Sequence, residues 1–224
     1  MIQNSILIFT DGSSRGNPGP GGYGAIVAHP DRVVEVGGRE DHTTNNRMEL
    51  MAAIKALAEV KGSGESVELF SDSKYVIQGI TSWIHGWIKN DWVNSQKKPV
   101  ENRDLWEKLY SVSRGHTINW NYVAGHSGHS ANERCDEIAT SFADNDPTLL
   151  YNSTRTAYKV SLDAPVANTP AGKPFYLSLV DGKVEEHETW AECEKRVKGK
   201  SGVKLKKVKS RTEANSVTKS WGVR

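Results

Sequence analysis

Residues 6–28 read ILIFTDGSSRGNPGPGGYGAIVA, and this stretch decides the fold. Residues 6–10 are a short, almost wholly apolar run, the pattern of a central strand buried on both faces. The run stops at Asp11. Glycine and proline crowd residues 16–24, so the chain must turn sharply there and return through residues 25–28 as a second strand, with residues 33–36 as a third. From Thr44 the pattern becomes helical: Leu50, Ile54, Leu57 and Ala58 share one stripe, and Gly62 and Gly64 mark the stop. Glu49 falls about one turn into that helix. Residues 67–71 make a further strand with Asp72 at its C-terminal end, where open α/β sheets usually place their chemistry. Residues 73–114 are mostly helical with a break around 90–99, and residues 117–123 alternate as a last strand. After the loop AGHSGH, Ser130 and Glu133 form an S-x-x-E capping box. They open a helix that buries Cys135, Ile138, Ala139 and Phe142 and carries Asp136 near its start.

Asp11, Glu49, Asp72 and Asp136 thus each stand where a buried element meets a loop or opens a helix. Carboxylates converging from separate segments repel one another at low dielectric and persist together mainly around something positive. Two magnesium ions are the natural candidates, with manganese as the alternative. Taken singly, each acid has a plainer reading. Asp11-Gly12 is a turn, Asp72-Ser73 a helix cap, Glu49 the end of a capping box with Asn46, and Asp136 a solvated helix residue. Neither a nucleophile elbow nor zinc-type ligand spacing is present.

The chain has 224 residues, 37% hydrophobic and 25% charged, which suits two unequal domains able to bury a core. No apolar run approaches the ~20 residues of a membrane span. No membrane partner is therefore expected, and cytoplasm is the default location. Cys135 and Cys193 fall in different expected domains, which argues against a disulfide and fits a reducing compartment. The net charge of +2 conceals an asymmetry: residues 1–146 hold 14 Lys and Arg against 19 Asp and Glu, whereas residues 147–224 hold 15 against 8. A basic tail on an acidic body points to a polyanionic partner, since phosphate neutralisation supplies most sequence-independent affinity.

Residues 145–174, with four prolines and no clear periodicity, read as a linker that packs in part. Beyond it, residues 175–180 and 183–187 suggest a hairpin about Asp181-Gly182. Thr189 and Glu192 box the start of a helix carrying Trp190, residues 204–208 form a third strand, and a helix begins near Thr212. The expected division is residues 1–146, a linker over 147–172, and a small α+β domain over 173–224.

The motifs TDGSSRGNPGPGGYGA, TTNNRMELMAAIKAL, SDSKYV, KKPVENRDLW and GHSGHSANERCDE together resemble ribonuclease H type 1 over residues 1 to about 146. The resemblance implies an α/β fold, a mixed five-stranded sheet with flanking helices. It also implies magnesium-dependent endonucleolytic cleavage of the RNA strand of an RNA/DNA hybrid; a monomer is expected, although the sequence does not give the oligomeric state. By matching position, Asp11, Glu49, Asp72 and Asp136 would be the metal-binding carboxylates and His126 the loop histidine. Asn17, Thr44, Asn45 and Asn46 would contact the hybrid's minor groove and backbone. Arg47 has two readings, a phosphate contact or a structural salt bridge. The segment WIHGWIKNDWVNSQKKP resembles the family's basic protrusion, with Trp83, Lys89, Lys97 and Lys98 on the DNA strand, although Asn90 and Asp91 weaken it. Trp83 and Trp87, at i and i+4, are also a pattern of simple helix packing.

From residue 175 to about 221 the tail resembles the small hybrid-binding, or viroplasmin-like, domain through FYLSLVDGK, TWAECEKRVKG and KLKKVKSRTEA. That resemblance implies duplex binding through Trp190, Lys206 and Lys207, with a protein-interaction module as the alternative. Whether it selects hybrids or takes other duplexes is open. The cluster Glu185, Glu186 and Glu188 puts negative charge near that face. Two rivals remain at this level: a binding protein whose carboxylates no longer catalyse, and a nuclease of the same fold acting on double-stranded RNA.

Overall fold

A computed structural model describes residues 5–62, 64–125, 129–163, 175–180 and 182–208, with Ala214, Val217, Thr218 and Trp221. The chain divides into two compact units, residues 1–164 and 165–224. In the first, β1 (Ile6–Ser14), β2 (Gly19–Ala28) and β3 (Arg32–Thr43) form an antiparallel meander, followed by α1 (Asn45–Ala58) and β4 (Ser66–Ser71). Next come α2 (Lys74–Gln78), a π-type turn (Gly79–Trp83), α3 (Ile84–Lys89), α4 (Arg103–Ser113), β5 (Thr117–Tyr122) and α5 (Ser130–Ala143). Strand β4 lies parallel to β1, and β5 parallel to β4.

The alternation along β1 builds a core on each face of the sheet. Ile6 and Ile8 meet Leu50, Ile54 and Leu57 of α1 and Leu105, Trp106 and Leu109 of α4, while Leu7 and Phe9 meet Ala131 and Cys135 of α5. Each such side chain, once fully buried, contributes about 1.5–3 kcal/mol. Burial on both faces makes β1 a rigid platform, and Asp11 is set on it.

The expected mixed sheet is present with one addition. A short strand β6 (Asn152–Thr154), from the stretch read as linker, pairs antiparallel with β3 and completes the order β5-β4-β1-β2-β3-β6. Tyr151, Tyr158, Val160 and Leu162 pack against the cluster beneath α5. The described part of the expected linker, residues 147–163, therefore belongs to the first unit. Tyr158, Val160 and Leu162 alternate, but the run is short and the consecutive Leu149, Leu150 and Tyr151 break the pattern, so no clear periodicity announced them. A second expectation also changes. His129, not Ser130, precedes α5, no side chain among the described residues caps that end, and Ser130 is already helical, so its hydroxyl lies one position too far along to serve as the box. The capping box of Glu49 with Asn46 is likewise not formed, because Thr44 caps α1 by accepting from the Arg47 amide at 3.4 Å.

In the second unit β7 (Phe175–Val180), β8 (Lys183–His187) and β9 (Lys204–Val208) form an antiparallel sheet in the order β8-β7-β9, with α6 (Trp190–Val197) after β8. Gly182, at φ +75°, makes the hairpin turn that a side chain would resist. Thr189 and Glu192 form the expected capping box. Leu177 and Val208 pack with Ala214 in a small core. Ala214, Val217 and Thr218 are helical, while Thr212 lies outside the described residues. Both cysteines are free. Among the described residues no helix is long and apolar enough to cross a membrane.

Candidate active site

Three local facts bring four acids from distant segments together. In the parallel pair β1 and β4, Thr10 lies level with Ser71, so Asp11 and Asp72 follow side by side at the strand ends. Gly12 lets α1 approach: a Cβ there would stand 2.3 Å from the Glu49 amide nitrogen. Asp11 pairs with Gly24 across β1 and β2, and a Cβ on Gly24 would stand 2.2 Å from the Cys135 carbonyl oxygen. The α5 backbone accordingly lies against this point of the sheet, one residue before Asp136.

Asp11, Glu49 and Asp72 each offer a carboxylate oxygen within 4.8 Å of the others. Asp136 lines the same cleft of about 290 Å³, together with Gly12, Asn45, Asn132 and Glu133. Neutral amides orient three of the acids. Gly12 donates to Asp11 Oδ1 at 2.7 Å, Asn45 Nδ2 to Glu49 Oε1 at 3.3 Å, and Asn132 Nδ2 to Asp72 Oδ2 at 3.3 Å. Burial, then the charges of Asp72 and Asp136, push Asp11 up to about 8, against the weaker pull of the Gly12 amide. Burial, then Asp11 and Asp72, push Glu49 well above its ordinary value.

Glu49 Oε2 is buried with no hydrogen-bond partner among the described residues. Such an orphaned oxygen costs about 1–3 kcal/mol or more unless something occupies its lone pairs. Among the described residues the converging groups are carboxylates with no histidine or cysteine, a donor set that suits a hard divalent cation such as magnesium or manganese rather than zinc. The residues present therefore fit such ions.

Not every expected site residue enters this cleft. Asn45 lines it, whereas Asn17, in the β1–β2 turn, and Asn46 are exposed outside its lining. Arg47 holds Asp104 with its two terminal nitrogens at 3.0 and 2.8 Å, which is the structural salt bridge. Trp87 packs on Trp106 and Trp92 at ring distances of 5.3 and 6.4 Å, while Trp83 is 38% exposed. Lys89 ends α3, and Lys97 and Lys98 lie exposed in the following loop. His126 falls outside the described residues. The residue before it, Gly125, abuts Asp72 so closely that a Cβ would stand 2.8 Å from Oδ2. Asn132 and Glu133 are additions. Asn132 had a usable signal, since it precedes Asp136 by four residues and so shares its helix face.

In the second unit, Trp190 is 44% exposed and leans on Tyr176 at a ring distance of 5.5 Å, and Lys207 Nζ stands 5.6 Å from the same ring. Lys207 pairs with Tyr176 but Lys206 with Leu177, so the two lysines face opposite sides of the sheet. Glu185 is neutralised by Arg196 at 2.8 Å.

Comparison with known proteins adds independent findings. The profile described as RNase H matches residues 3–144, and that described as Ribonuclease H1 N-terminal domain matches residues 187–216. A protein named Ribonuclease H from Bradyrhizobium sp. (strain ORS 278) is 57% identical over 134 residues, covering 60% of this chain and 86% of that protein. One from Mesorhizobium japonicum (strain LMG 29417 / CECT 9101 / MAFF 303099) is 53% identical over 138 residues, 62% of this chain and 77% of that protein. The crystal structure of LC9-RNase H1, a type 1 RNase H with the type 2 active-site motif, is similar with a TM-score of 0.55 at 27% identity. It covers 74% of this chain and 96% of that one.

Proposed function

The chain belongs to the RNase H family, enzymes that cleave RNA in RNA/DNA hybrids, and from that premise we propose a two-metal-ion endonuclease assisted by its C-terminal unit. The substrate is the RNA strand of a hybrid, and the products carry 3′-hydroxyl and 5′-phosphate ends. The observation that carries this reading is the meeting of the buried Asp11 and Glu49 with the half-buried Asp72 within 4.8 Å, with Asp136 on the same cleft.

Two divalent ions, magnesium or manganese, would supply Lewis acidity on either side of one phosphodiester, activating a water and stabilising the departing 3′ oxygen. Asp11, Glu49, Asp72 and Asp136 would hold them. The orienting donors Gly12, Asn45 and Asn132 are all neutral, so they fix the carboxylates without cancelling the negative field that draws cations in. With carboxylates in these roles, no side chain need become covalently attached to the substrate. His126 takes a proton-shuttling or product-release role in this proposal, supported by the position of Gly125 beside Asp72.

Recognition of RNA would fall to short polar groups around the first two acids. Asn17, Asn45 and Asn46 reach 2′-hydroxyls or backbone across a shallow groove, and the Thr44 hydroxyl, which accepts the Arg47 amide, keeps its proton to donate. Trp83, Lys89, Lys97 and Lys98 are all exposed, as a grip on the DNA strand requires. In the second unit, Trp190 and Lys207 flank Tyr176 as a stacking and phosphate-binding face, with Lys206 acting from the other side.

Asp72→Asn tests the core of this proposal. It should abolish magnesium-dependent cleavage of labelled hybrid while sparing hybrid binding, and cleavage at the wild-type rate refutes the site. Duplex RNA and duplex DNA run alongside decide the substrate: cutting of duplex RNA in preference to hybrid overturns the hybrid assignment.

A further inference from the structure

Glu35 lies within β3 with its side chain 1% exposed, far from any expected role. Its carboxylate accepts from Arg134 Nε at 2.9 Å and Nη2 at 2.8 Å, from the Tyr158 hydroxyl at 2.7 Å and from the Tyr151 amide at 3.0 Å. Burial pushes the group up, but these donors outweigh it and hold its carboxyl below the usual range. Arg134 also donates to the Leu149 carbonyl at 2.9 Å and pairs with Glu137 at 2.8 Å. A strand, a helix and the segment beyond residue 147 are thus joined at one buried charge pair. None of these groups lines the cleft.

Arg134 and Asp136 are two residues apart on α5, about 200° around its axis. What fastens the one side chain to the sheet sets the direction of the other. The approach of α5 to Gly22 and Gly24 limits its distance from β2, and Arg39 donates to its last carbonyls, those of Phe142 and Ala143. These interactions set spacing and anchor the far end. Rotation of the first half is set by tethers off the axis: Asn132, which donates to Asp72 at 3.3 Å, and the Glu35–Arg134 pair, which lies outside the cleft.

We infer that residues 149–158 form a strap that, through Glu35 and Arg134, fixes the rotation of α5 and so the position of Asp136 on the cleft. The inference rests on the metal-holding role proposed for Asp136. Side-chain tips lie about 5–6 Å from a helix axis, so a rotation of about 10° would carry the Asp136 carboxylate about 1 Å. That is half the length of a magnesium–oxygen bond, about 2.0–2.1 Å. Glu35, Arg134 and Tyr158 are positioning residues in this scheme.

The test measures manganese binding to the full chain without nucleic acid, by calorimetry, well below each variant's melting midpoint. Tyr158→Phe removes one hydroxyl while keeping the ring that packs on Tyr151, and Glu35→Gln removes the charge. Both should lower ion affinity by about 2- to 30-fold, the range for substitutions that act through a network. A merely structural role would lower the melting midpoint and leave the affinity of the folded protein unmoved. Asp136→Asn is the reference. Wild-type affinity in Tyr158→Phe, with affinity lost in Asp136→Asn, overturns the strap. Wild-type affinity in Asp136→Asn overturns instead the reading of the site beneath it. Should Glu35→Gln fail to fold, Tyr158→Phe decides.

Discussion

Gly12→Ala puts the assembly of the site to a direct test. A Cβ at residue 12 would stand 2.3 Å from the Glu49 nitrogen, 2.6 Å from the Met48 carbonyl carbon and 2.9 Å from the Glu49 α-carbon. Non-bonded carbons rest at about 3.5–4.0 Å, so the shortfall is about 1 Å. All three neighbours are backbone atoms in the first half of α1, and no rotamer change relieves the clash. The helix must move by about 1 Å, and Glu49 moves with it. Overpacking of this kind costs about 1–3 kcal/mol. A displacement of about 1 Å in a group that holds the reacting centre costs about 10²-fold in rate. The assay is single-turnover cleavage of labelled hybrid at saturating magnesium, paired with urea denaturation. Gly86→Ala is the control of opposite sign, because nothing lies within 4 Å of the added methyl in α3, and it should stabilise by about 0.5–1 kcal/mol. A Gly12→Ala protein with wild-type rate and wild-type denaturation midpoint refutes the reasoning. An unchanged rate with a lowered midpoint would leave the packing argument standing and reject the positioning of Glu49.

Three further outcomes are expected. Deleting residues 165–224 removes 13 Lys and Arg against 7 Asp and Glu, so hybrid binding at low salt should weaken at least ~10-fold. The logarithmic salt slope should shrink by about one for each phosphate that this unit neutralises in the intact protein. Binding and slope equal to those of the full chain would reject duplex binding by this unit. Deleting residues 147–224 instead would also strip Tyr151 and Tyr158 from the first unit and should cost a further ~2–5 kcal/mol in urea denaturation. In chelator, folded Asp11 keeps, up to about pH 8, a proton that the unfolded chain releases near 3.8. Stability should therefore fall as pH rises through that window, and Glu49 acts in the same direction. Magnesium at pH 8 should restore the melting midpoint. A midpoint in Asp11→Asn with the same pH slope as wild type would exclude Asp11 as the source.

Much of the first unit was legible because its signals are local. The apolar run ending at Asp11 and the glycine-rich return defined β1 and β2, and the tail strands 175–180, 183–187 and 204–208 fell where hairpin chemistry put them. Illegible parts depend on distance or on phase. Glu35 is an ordinary polar residue in a strand until Arg134, 99 positions away, closes on it. Ser130 carried the right motif in the wrong phase, one residue inside the helix it was meant to cap. Lys206 and Lys207 read as a pair in sequence, but a strand's period of two sends neighbours to opposite faces. For the carboxylates, sequence supplied the identities. That they meet depends on the close approaches at Gly12 and Gly24, which the motif contains without revealing what they touch.

The same geometry explains why this enzyme needs a strap at all. Asp11 and Glu49 are buried beside other acids, so without cations Asp11 holds a proton up to about pH 8, Glu49 shifts in the same direction, and the cleft pushes its own walls apart once they ionise. Two of those walls are held by backbone contact: β1 and β4 by their shared ladder, and α1 by its approach over Gly12. The third wall, α5, packs Ala131 and Cys135 on the sheet, approaches it over Gly22 and Gly24 and donates from Asn132 to Asp72, and among the described residues no side chain caps the end nearest the acids. Its turn about its own axis is opposed by side chains rather than by a shared ladder. A buried, doubly bonded Glu35–Arg134 pair on its far side resists that turn, and breaking such a pair typically costs about 3–5 kcal/mol. Residues beyond the matched catalytic stretch 3–144 therefore bear on catalysis without approaching the substrate.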